Sequence, residues 1–160
     1  MTVIILTGTP GTGKTKIAKV LAKKLKYKYL DVNQLIKINK LREEYDKKRK
    51  TYEIDIKKLN KVLINEIKEN ENLVIDSHLS HYLLNNYVDL CVVASCDLKT
   101  LGGRLKRRKY PKLKIDENMD AEIFEVCYTE ALENRHKVIV INTNLKLKEN
   151  IDKIIKMVYK

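Results

Sequence analysis

The sequence predicts a three-layer α/β fold, in which helices cover both faces of a five-stranded parallel sheet. Five short, continuous apolar runs are spaced along the chain, and segments with helical periodicity lie between them. Continuous apolar runs are typical of parallel strands that are buried on both faces, and strands that alternate with helices form such sheets. The length of 160 residues fits one compact domain.

The individual elements follow from spacing. Strands are predicted at residues 3–7, 27–32, 73–75, 90–94 and 138–141. Apolar residues recur at helical spacing in six segments, and these predict helices at residues 14–25, 34–45, 56–67, 97–108, 116–133 and 147–159. Asp55 is expected to cap the third helix. A highly charged stretch, 42–51, precedes it, and a basic segment surrounds Tyr110 and Pro111.

The charge balance favours phosphate-rich partners. The chain has 33 Lys and Arg against 21 Asp and Glu, a net charge of +12, and such a field attracts polyanions. Two interpretations stay open. The charge serves contact with RNA or a ribonucleoprotein, or it is a solvated, lysine-rich surface that reflects thermal adaptation or genome composition.

Composition also predicts a cytoplasmic location. No apolar run approaches the roughly 18 residues of a membrane span, and residues 1–6 lack the basic leader and small-residue cleavage site of a signal peptide. The three cysteines are odd in number and have no C-x-x-C spacing, so we expect reduced thiols rather than disulfides or a zinc site. Cys91, inside an apolar run, is expected to be a buried small hydrophobe.

A phosphate-binding motif follows the first predicted strand and opens the first predicted helix. The pattern G-x-x-x-x-G-K-[ST] is met by Gly8-Thr9-Pro10-Gly11-Thr12-Gly13-Lys14-Thr15. Backbone N–H groups around Gly8, Gly11, Thr12 and Gly13 are expected to converge on phosphate oxygens. Lys14 adds a positive charge toward the β- and γ-phosphates, and the Thr15 hydroxyl is a ligand for magnesium. The motif therefore predicts ATP and Mg²⁺ as cofactors.

Two further residues are expected beside this loop. Asp76 ends the third predicted strand, where an acid holds magnesium through water; the alternative is a helix cap. His78 is expected to orient water or substrate, and the alternative is a surface histidine near a turn.

An arginine cluster ends the fourth predicted helix, at Arg104, Arg107 and Arg108. Guanidinium groups bind phosphate oxygens with forked donors and stack on bases. The alternative is a solvated helix end, where cations favour the dipole.

Four features together resemble the adenylate kinase isoenzyme six family, also called the coilin-interacting nuclear ATPase family. They are the phosphate loop, the turn Asp76-Ser77-His78, the arginines 104 and 108 followed by Tyr110, and Asn118 followed by Glu122-Ile123-Phe124. The resemblance covers residues 4 to about 131.

The resemblance implies a nucleoside monophosphate kinase-like fold of one domain. Its core would be residues 1–31 and 66–160, with an acceptor-binding insertion at about 32–65 and a lid at about 106–116. It implies adenylate kinase and ATPase activity and a role in maturation of the small ribosomal subunit. An S11-type ribosomal protein and rRNA are the implied macromolecular partners, and AMP or a related monophosphate is the acceptor.

The resemblance also assigns site residues. Asp76 becomes the acid that holds magnesium, and His78 the histidine that follows it. Arg104 would pack near the ATP base, and Arg108 would reach the phosphates. Lys37 stands where the family has an arginine for the acceptor, and a lysine lacks the bidentate contact. Lys109 replaces a glycine of the lid motif.

Three functions remain open on the sequence. The first is phosphoryl transfer from MgATP to a monophosphate, and the second is an ATP-driven assembly factor that binds a ribosomal protein or rRNA. The third is a small-molecule kinase such as shikimate kinase, because Asp31 follows the second strand where such enzymes hold substrate hydroxyls. The sequence does not predict the oligomeric state.

Overall fold

The computed structural model describes all residues, 1–160, and its centre is a five-stranded parallel sheet. Its strands are β1 (Thr2–Thr7), β2 (Lys28–Asp31), β5 (Asn72–Asp76), β6 (Leu90–Ser95) and β7 (Val138–Asn142). The sheet order is β2-β5-β1-β6-β7, with every neighbouring pair parallel. The predicted fold class and all five predicted strands are confirmed.

Seven α-helices surround this sheet. They are α1 (Lys14–Leu25), α2 (Val32–Ile38), α3 (Ile56–Glu69), α4 (Leu98–Arg107), α5 (Lys112–Ile123), α6 (Val126–Glu133) and α7 (Leu147–Val158). Asp55 and Asp97 cap α3 and α4, because their side chains accept hydrogen bonds from the backbone N–H of Lys58 and Thr100. None of the helices combines the length and apolar character that crossing a membrane requires.

Hydrophobic cores lie on both faces of the sheet, because alternate residues of each strand point to opposite sides. Val3 and Ile5 of β1 pack with α2 and α3, whereas Ile4 and Leu6 pack with α1 and α7. Cys91 is fully buried in the first of these cores, as predicted. A small third cluster, under α4 and α5, includes Leu101 and Leu105.

The predicted helix 34–45 is wrong in its second half. The helix α2 ends at Ile38, and Lys40 takes a left-handed conformation with φ of 53°. The N–H groups of Lys40 and Leu41 then donate to the carbonyls of Lys37 and Ile36, which closes the helix. The charged stretch that follows forms an antiparallel hairpin of β3 (Arg42–Asp46) and β4 (Thr51–Ile54).

The predicted helix 116–133 is also wrong, because it is two helices. Glu125 has φ of 51°, a left-handed conformation that an α-helix cannot contain, and it separates α5 from α6. The helix α5 also begins earlier than predicted, at Lys112 after Pro111. The bend lets α6 pack against β6 and β7 while α5 packs against α4.

Candidate active site

The phosphate loop adopts the backbone that its glycines permit. Gly8, Gly11 and Gly13 have φ angles of 138°, 94° and 98°, which residues with a side chain rarely adopt. A Cβ on Gly8 would lie 2.4 Å from the carbonyl oxygen of Ala94. The loop therefore passes so close to β6 that only glycine fits, and it enters α1 at Lys14.

Lys14 occupies the centre of the loop and is only 8% exposed. Its Nζ donates to the carbonyl oxygens of Gly8 and Thr9, at 2.9 and 3.3 Å. Burial lowers the pKa of this ammonium group, and the nearby carboxylate of Asp76 opposes that effect. The side chain is thus held where phosphate oxygens would replace the two carbonyls as partners.

Asp76 lies beside the loop at the end of β5 and is buried. Its Oδ2 accepts hydrogen bonds from the Thr15 hydroxyl at 2.6 Å and from the Tyr29 hydroxyl at 3.0 Å. No helix begins with Asp76 as its cap, since the next turn of helix spans Ser80–Tyr82 and follows Leu79. Tyr29, which sequence reasoning missed, orients this carboxylate, and burial together with Asp76 raises its pKa.

The oxygen atoms of Thr15 and Asp76 fit a magnesium ion. Mg²⁺ prefers oxygen ligands and keeps several waters, so one or two protein oxygens suffice when phosphates supply the rest. The structure contains no group of three or more His, Cys, Asp or Glu side chains that would form a metal cage. A hydroxyl and a carboxylate already within 2.6 Å of each other match this kind of shared site.

Arg104 and Thr143 support the loop from outside. The Arg104 Nη1 donates to the carbonyl oxygen of Gly11 at 3.1 Å and lies over Gly13. The Thr143 hydroxyl lies 2.5 Å from the carbonyl oxygen of Thr12 and 3.1 Å from that of Ser95. Arg104 therefore lies at the loop, and its packing near the ATP base stays a prediction. Thr143, just beyond β7, was missed because its partner is distant in sequence.

Arg108 lies in the main cleft with two groups that the sequence did not single out as ligands. Its guanidinium carbon lies 5.9 Å from the ring centre of Tyr110, and its Nη1 lies 3.4 Å from that hydroxyl. Lys114 approaches the same ring, with Nζ 4.0 Å from its centre. Two cations thus approach the same aromatic ring, and all three residues line the cleft.

The cleft has a volume of about 610 Å³, and the phosphate loop forms part of its wall. It is also lined by the β3–β4 hairpin, at Arg49 and Thr51, and by α6, at Cys127 and Glu130. A volume of this size accommodates a small-molecule ligand. His78 is exposed and lines the cleft next to Asp76, so the structure brings these two predicted residues together.

Two residues predicted for the acceptor lie outside this cleft. The carboxylate of Asp31 caps α2 by accepting from the N–H of Asn33 at 2.9 Å. Lys37 lines an adjoining groove of about 440 Å³ at the hairpin, which shares Asn33, Thr51, His78 and Leu79 with the cleft. Their roles toward an acceptor stay predictions.

The cation that the hairpin brings into the cleft is Arg49. It bridges the hairpin and α5: Nη1 donates to Asp46 at 2.7 Å, while Nε and Nη2 donate to the Glu117 carboxylate at 2.8 and 2.6 Å. This fork is the bidentate geometry in which arginine binds carboxylates and phosphates. Sequence reasoning missed Arg49 because the segment was not predicted to fold back over the cleft.

A partly buried polar network lines the cleft where α6 borders it. The His81 Nδ1 lies 2.6 Å from the Thr7 hydroxyl, and its Nε2 lies 2.8 Å from Glu130 Oε2. Because a carboxylate only accepts, Nε2 carries the hydrogen and Nδ1 accepts from Thr7. The Tyr82 hydroxyl donates to the same Glu130 oxygen at 3.0 Å. Burial lowers the pKa of His81, against the effect of Glu130.

Comparison with known proteins agrees with this geometry. The family model described as an AAA domain matches residues 4–125. A Methanocaldococcus jannaschii protein provisionally named an adenylate kinase is 40% identical over 97% of this chain and 85% of its own length. The Saccharomyces cerevisiae protein named adenylate kinase isoenzyme 6 homologue FAP7 is 38% identical over 92% of this chain and 75% of its own.

Solved structures show the same fold at low sequence identity. Shikimate kinase from Acinetobacter baumannii, in complex with shikimate, aligns with a TM-score of 0.70 at 19% identity, over 99% of this chain and 93% of that one. Deoxyadenosine kinase from M. mycoides, with bound dATP, aligns over the full length of both chains with a TM-score of 0.65 at 17% identity. These likenesses concern the fold alone.

Proposed function

This chain belongs to the adenylate kinase isoenzyme six family, and from that premise we propose that it transfers a phosphoryl group from MgATP to AMP or a related monophosphate. One observation carries the proposal: the cleft that contains Lys14 and Asp76 continues to Arg49 on the hairpin. Hydrolysis of ATP alone requires only the half around the phosphate loop. The second half, with a forked cation, fits the phosphate of an acceptor.

The proposed mechanism is positioning and charge neutralisation. Bound MgATP would supply the γ-phosphoryl group, and its metal would neutralise part of the phosphate charge. Thr15 and Asp76 would hold that metal, with Tyr29 fixing the carboxylate. The Lys14 ammonium group would exchange its hydrogen bonds to the carbonyls of Gly8 and Thr9 for hydrogen bonds to phosphate oxygens. Arg108 would bind the transferring phosphoryl group from the lid side.

On the acceptor side of the cleft, fewer residues are proposed to act than around the phosphate loop. Arg49 would exchange Glu117 for the acceptor's phosphate, so the hairpin would close over the cleft and exclude water. His78, exposed between the two halves of the cleft, would orient the attacking phosphate oxygen or, in its absence, a water molecule. Asp31 and Lys37 would act at the rim, since the first caps α2 and the second lies in the neighbouring groove.

A coupled assay for ADP formation tests the proposal. We expect turnover with MgATP that depends on added AMP within a panel of nucleoside monophosphates, and that is lost in Lys14→Ala, in which the phosphate contact is removed. Shikimate belongs in the same panel, because Asp31 was also predicted to hold substrate hydroxyls. ADP formation that is indifferent to every acceptor would contradict a kinase.

A second candidate is an ATPase that assists assembly of the small ribosomal subunit, with an S11-type ribosomal protein and rRNA as partners. It is supported by the net charge of +12 and by the segment 115–134, which contains no lysine or arginine to neutralise a transferring phosphate. A pull-down with the S11-type protein, with and without ATP, tests it. Binding that ignores the nucleotide would argue against an ATP-driven release. A cytoplasmic location belongs to the proposal and is supported by three unpaired thiols.

A further inference from the structure

A second groove lies next to the phosphate loop, at the bend between α5 and α6. It has a volume of about 380 Å³. Its walls are the end of β6, the start of α4, the edge strand β7 and the bend itself, and Gly8 and Thr9 form part of its floor. The mechanism proposed above does not use this groove.

The charge of the groove is opposite in sign to the net charge of the protein. Of the 15 residues that line it, nine are hydrophobic, and the charged ones are three carboxylates: Asp97, Glu122 and Glu125. No lysine, arginine or histidine lines it, in a chain that has 33 lysines and arginines. Such a groove repels polyanions and favours a cationic partner.

Large apolar side chains are exposed around the groove. Phe124, which is the only phenylalanine of the chain, is 72% exposed, and Ile123 beside it is 51% exposed. Leu98 and Val140, also exposed, line the same groove from α4 and β7. Exposed hydrophobic residues that cluster with a polar rim mark interaction sites, whereas isolated ones need no explanation. We call these four residues, with the three carboxylates, the acidic bend surface.

The negative charge extends beyond the groove. The segment 115–134 contains seven aspartates and glutamates and no lysine, arginine or histidine. The left-handed Glu125 sets the angle between α5 and α6, so Ile123 and Phe124 lie at an exposed corner. Acidic residues around exposed aromatic and aliphatic side chains are complementary to a basic segment that also carries an apolar residue.

We propose that the acidic bend surface binds a basic protein segment, rich in lysine or arginine, whose aromatic or aliphatic side chain enters the groove. The apolar residues contribute most of the binding free energy, and the carboxylates attract and orient the segment. RNA is not the occupant, because its phosphates would face carboxylates without a cation between them. The proposal is independent of the kinase activity proposed above.

Binding of labelled peptides, followed by fluorescence anisotropy, tests the proposal. The probe is a short peptide in which lysines alternate with leucine and phenylalanine. The comparison probes are the same peptide with serine in place of the apolar residues, and an oligouridylate. We expect the first probe to bind most tightly, and Phe124→Ser with Glu125→Lys to weaken it at least about tenfold. Lysine already adopts a left-handed backbone elsewhere in the chain, for example at Lys26.

A matched control makes the same kinds of change elsewhere, at an exposed large apolar residue and an exposed glutamate outside the groove: Leu84→Ser with Glu69→Lys. It should bind the peptide as the unchanged protein does. Phe124→Ala alone provides a milder variant if the double variant unfolds, as judged by circular dichroism. Equal binding by the variants and the control would overturn the proposal.

Two other outcomes would assign the surface to a different occupant and also overturn the proposal. In the first, the oligouridylate competes with the peptide for binding, and the double variant binds neither of them. The second is self-association of the unchanged protein in analytical ultracentrifugation that disappears in the double variant.

Discussion

At the residue scale, the phosphate loop depends on a backbone that only glycine adopts. Gly8 combines a φ of 138° with a close approach to the Ala94 carbonyl oxygen. The adjacent Lys14 and Asp76 depend on this backbone, because the first donates to the Gly8 carbonyl and the second lies on the strand next to β1. A small distortion at one residue therefore reaches both charged groups.

Replacing Gly8 with alanine should lower both stability and nucleotide affinity. The added methyl group would meet the backbone of β6, and we expect a loss of about 3 kcal/mol in the free energy of unfolding. Denaturant unfolding of Gly8→Ala measures it. Gly103→Ala is the control, because no atom lies within 4 Å of its added Cβ, and this helical position should gain up to about 1 kcal/mol. A Gly8→Ala protein as stable as the unchanged one would contradict the close approach.

His81 should make stability depend on pH. Its pKa in the folded protein is lowered from the usual 6.5 by burial, so the unfolded chain binds a proton more readily. The contribution of neutral His81 to the free energy of unfolding is then fully present above pH 6.5. It decreases as the pH falls below that value, by at most about 1.4 kcal/mol per pH unit. In His81→Asn the fall in melting temperature between pH 7.5 and 5.5 should be smaller. An equal fall in both proteins would exclude this role.

At the element scale, the β3–β4 hairpin and α5 face each other across the mouth of the cleft. Arg49 joins them through Glu117, and both side chains are partly exposed, so the pair contributes little to stability. Its effect is on geometry, because it holds a forked cation in the same cleft as the phosphate loop. Opening or closing of the cleft therefore requires this pair to exchange partners.

Changes at the two partners should act in opposite directions on the proposed acceptor. Arg49→Ala removes the phosphate ligand and should raise the KM for AMP about tenfold, with little change for ATP. Glu117→Gln frees Arg49 from its carboxylate partner and should lower the KM for AMP. Steady-state kinetics with each substrate varied in turn measures both. Equal changes in the KM values for ATP and AMP would indicate a purely structural role. Lys47→Ala, on the same hairpin turn, is the control and should leave both KM values unchanged.

At the scale of the whole molecule, charge is segregated. The chain is strongly basic, yet the segment 115–134 is entirely without basic residues. The cleft and the second groove share Thr9, Ala121 and Cys127 in their walls but differ in the charge that they present. A nucleotide and a basic partner can therefore approach the same region of the protein from different directions.

A ligand that occupies both halves of the cleft should stabilise the whole domain. An inhibitor that links ATP to AMP should raise the melting temperature more than ATP alone, and a ligand at a hundred times its Kd adds about 2.7 kcal/mol. Differential scanning fluorimetry measures the shift. In Arg49→Ala the linked inhibitor should raise the melting temperature no more than ATP does, while the rise caused by ATP itself should remain. A larger rise with the linked inhibitor in this variant would place the AMP moiety outside the cleft.

Local patterns in the sequence determined the sheet, most of the helices and the phosphate loop. These features depend on residues close together in the chain: apolar runs form buried strands, Asp55 and Asp97 cap the helices that follow them, and the loop motif sets its own backbone. Asp76 was predicted from the end of a parallel strand, His78 from its place two residues later, and Arg108 from the arginine cluster at a helix end. The structure places all three in one cleft, and their roles stay predictions.

Tertiary structure decided what lies across the cleft. The hairpin and the bend at Glu125 went unpredicted, since neither Lys40 nor Glu125 signals a left-handed backbone in the way that glycine does. Three of the contacts join residues that are far apart in the chain: Tyr29 with Asp76, Glu130 with His81, and Glu117 with Arg49. Such pairs meet only when packing brings their elements together, and no local pattern encodes them.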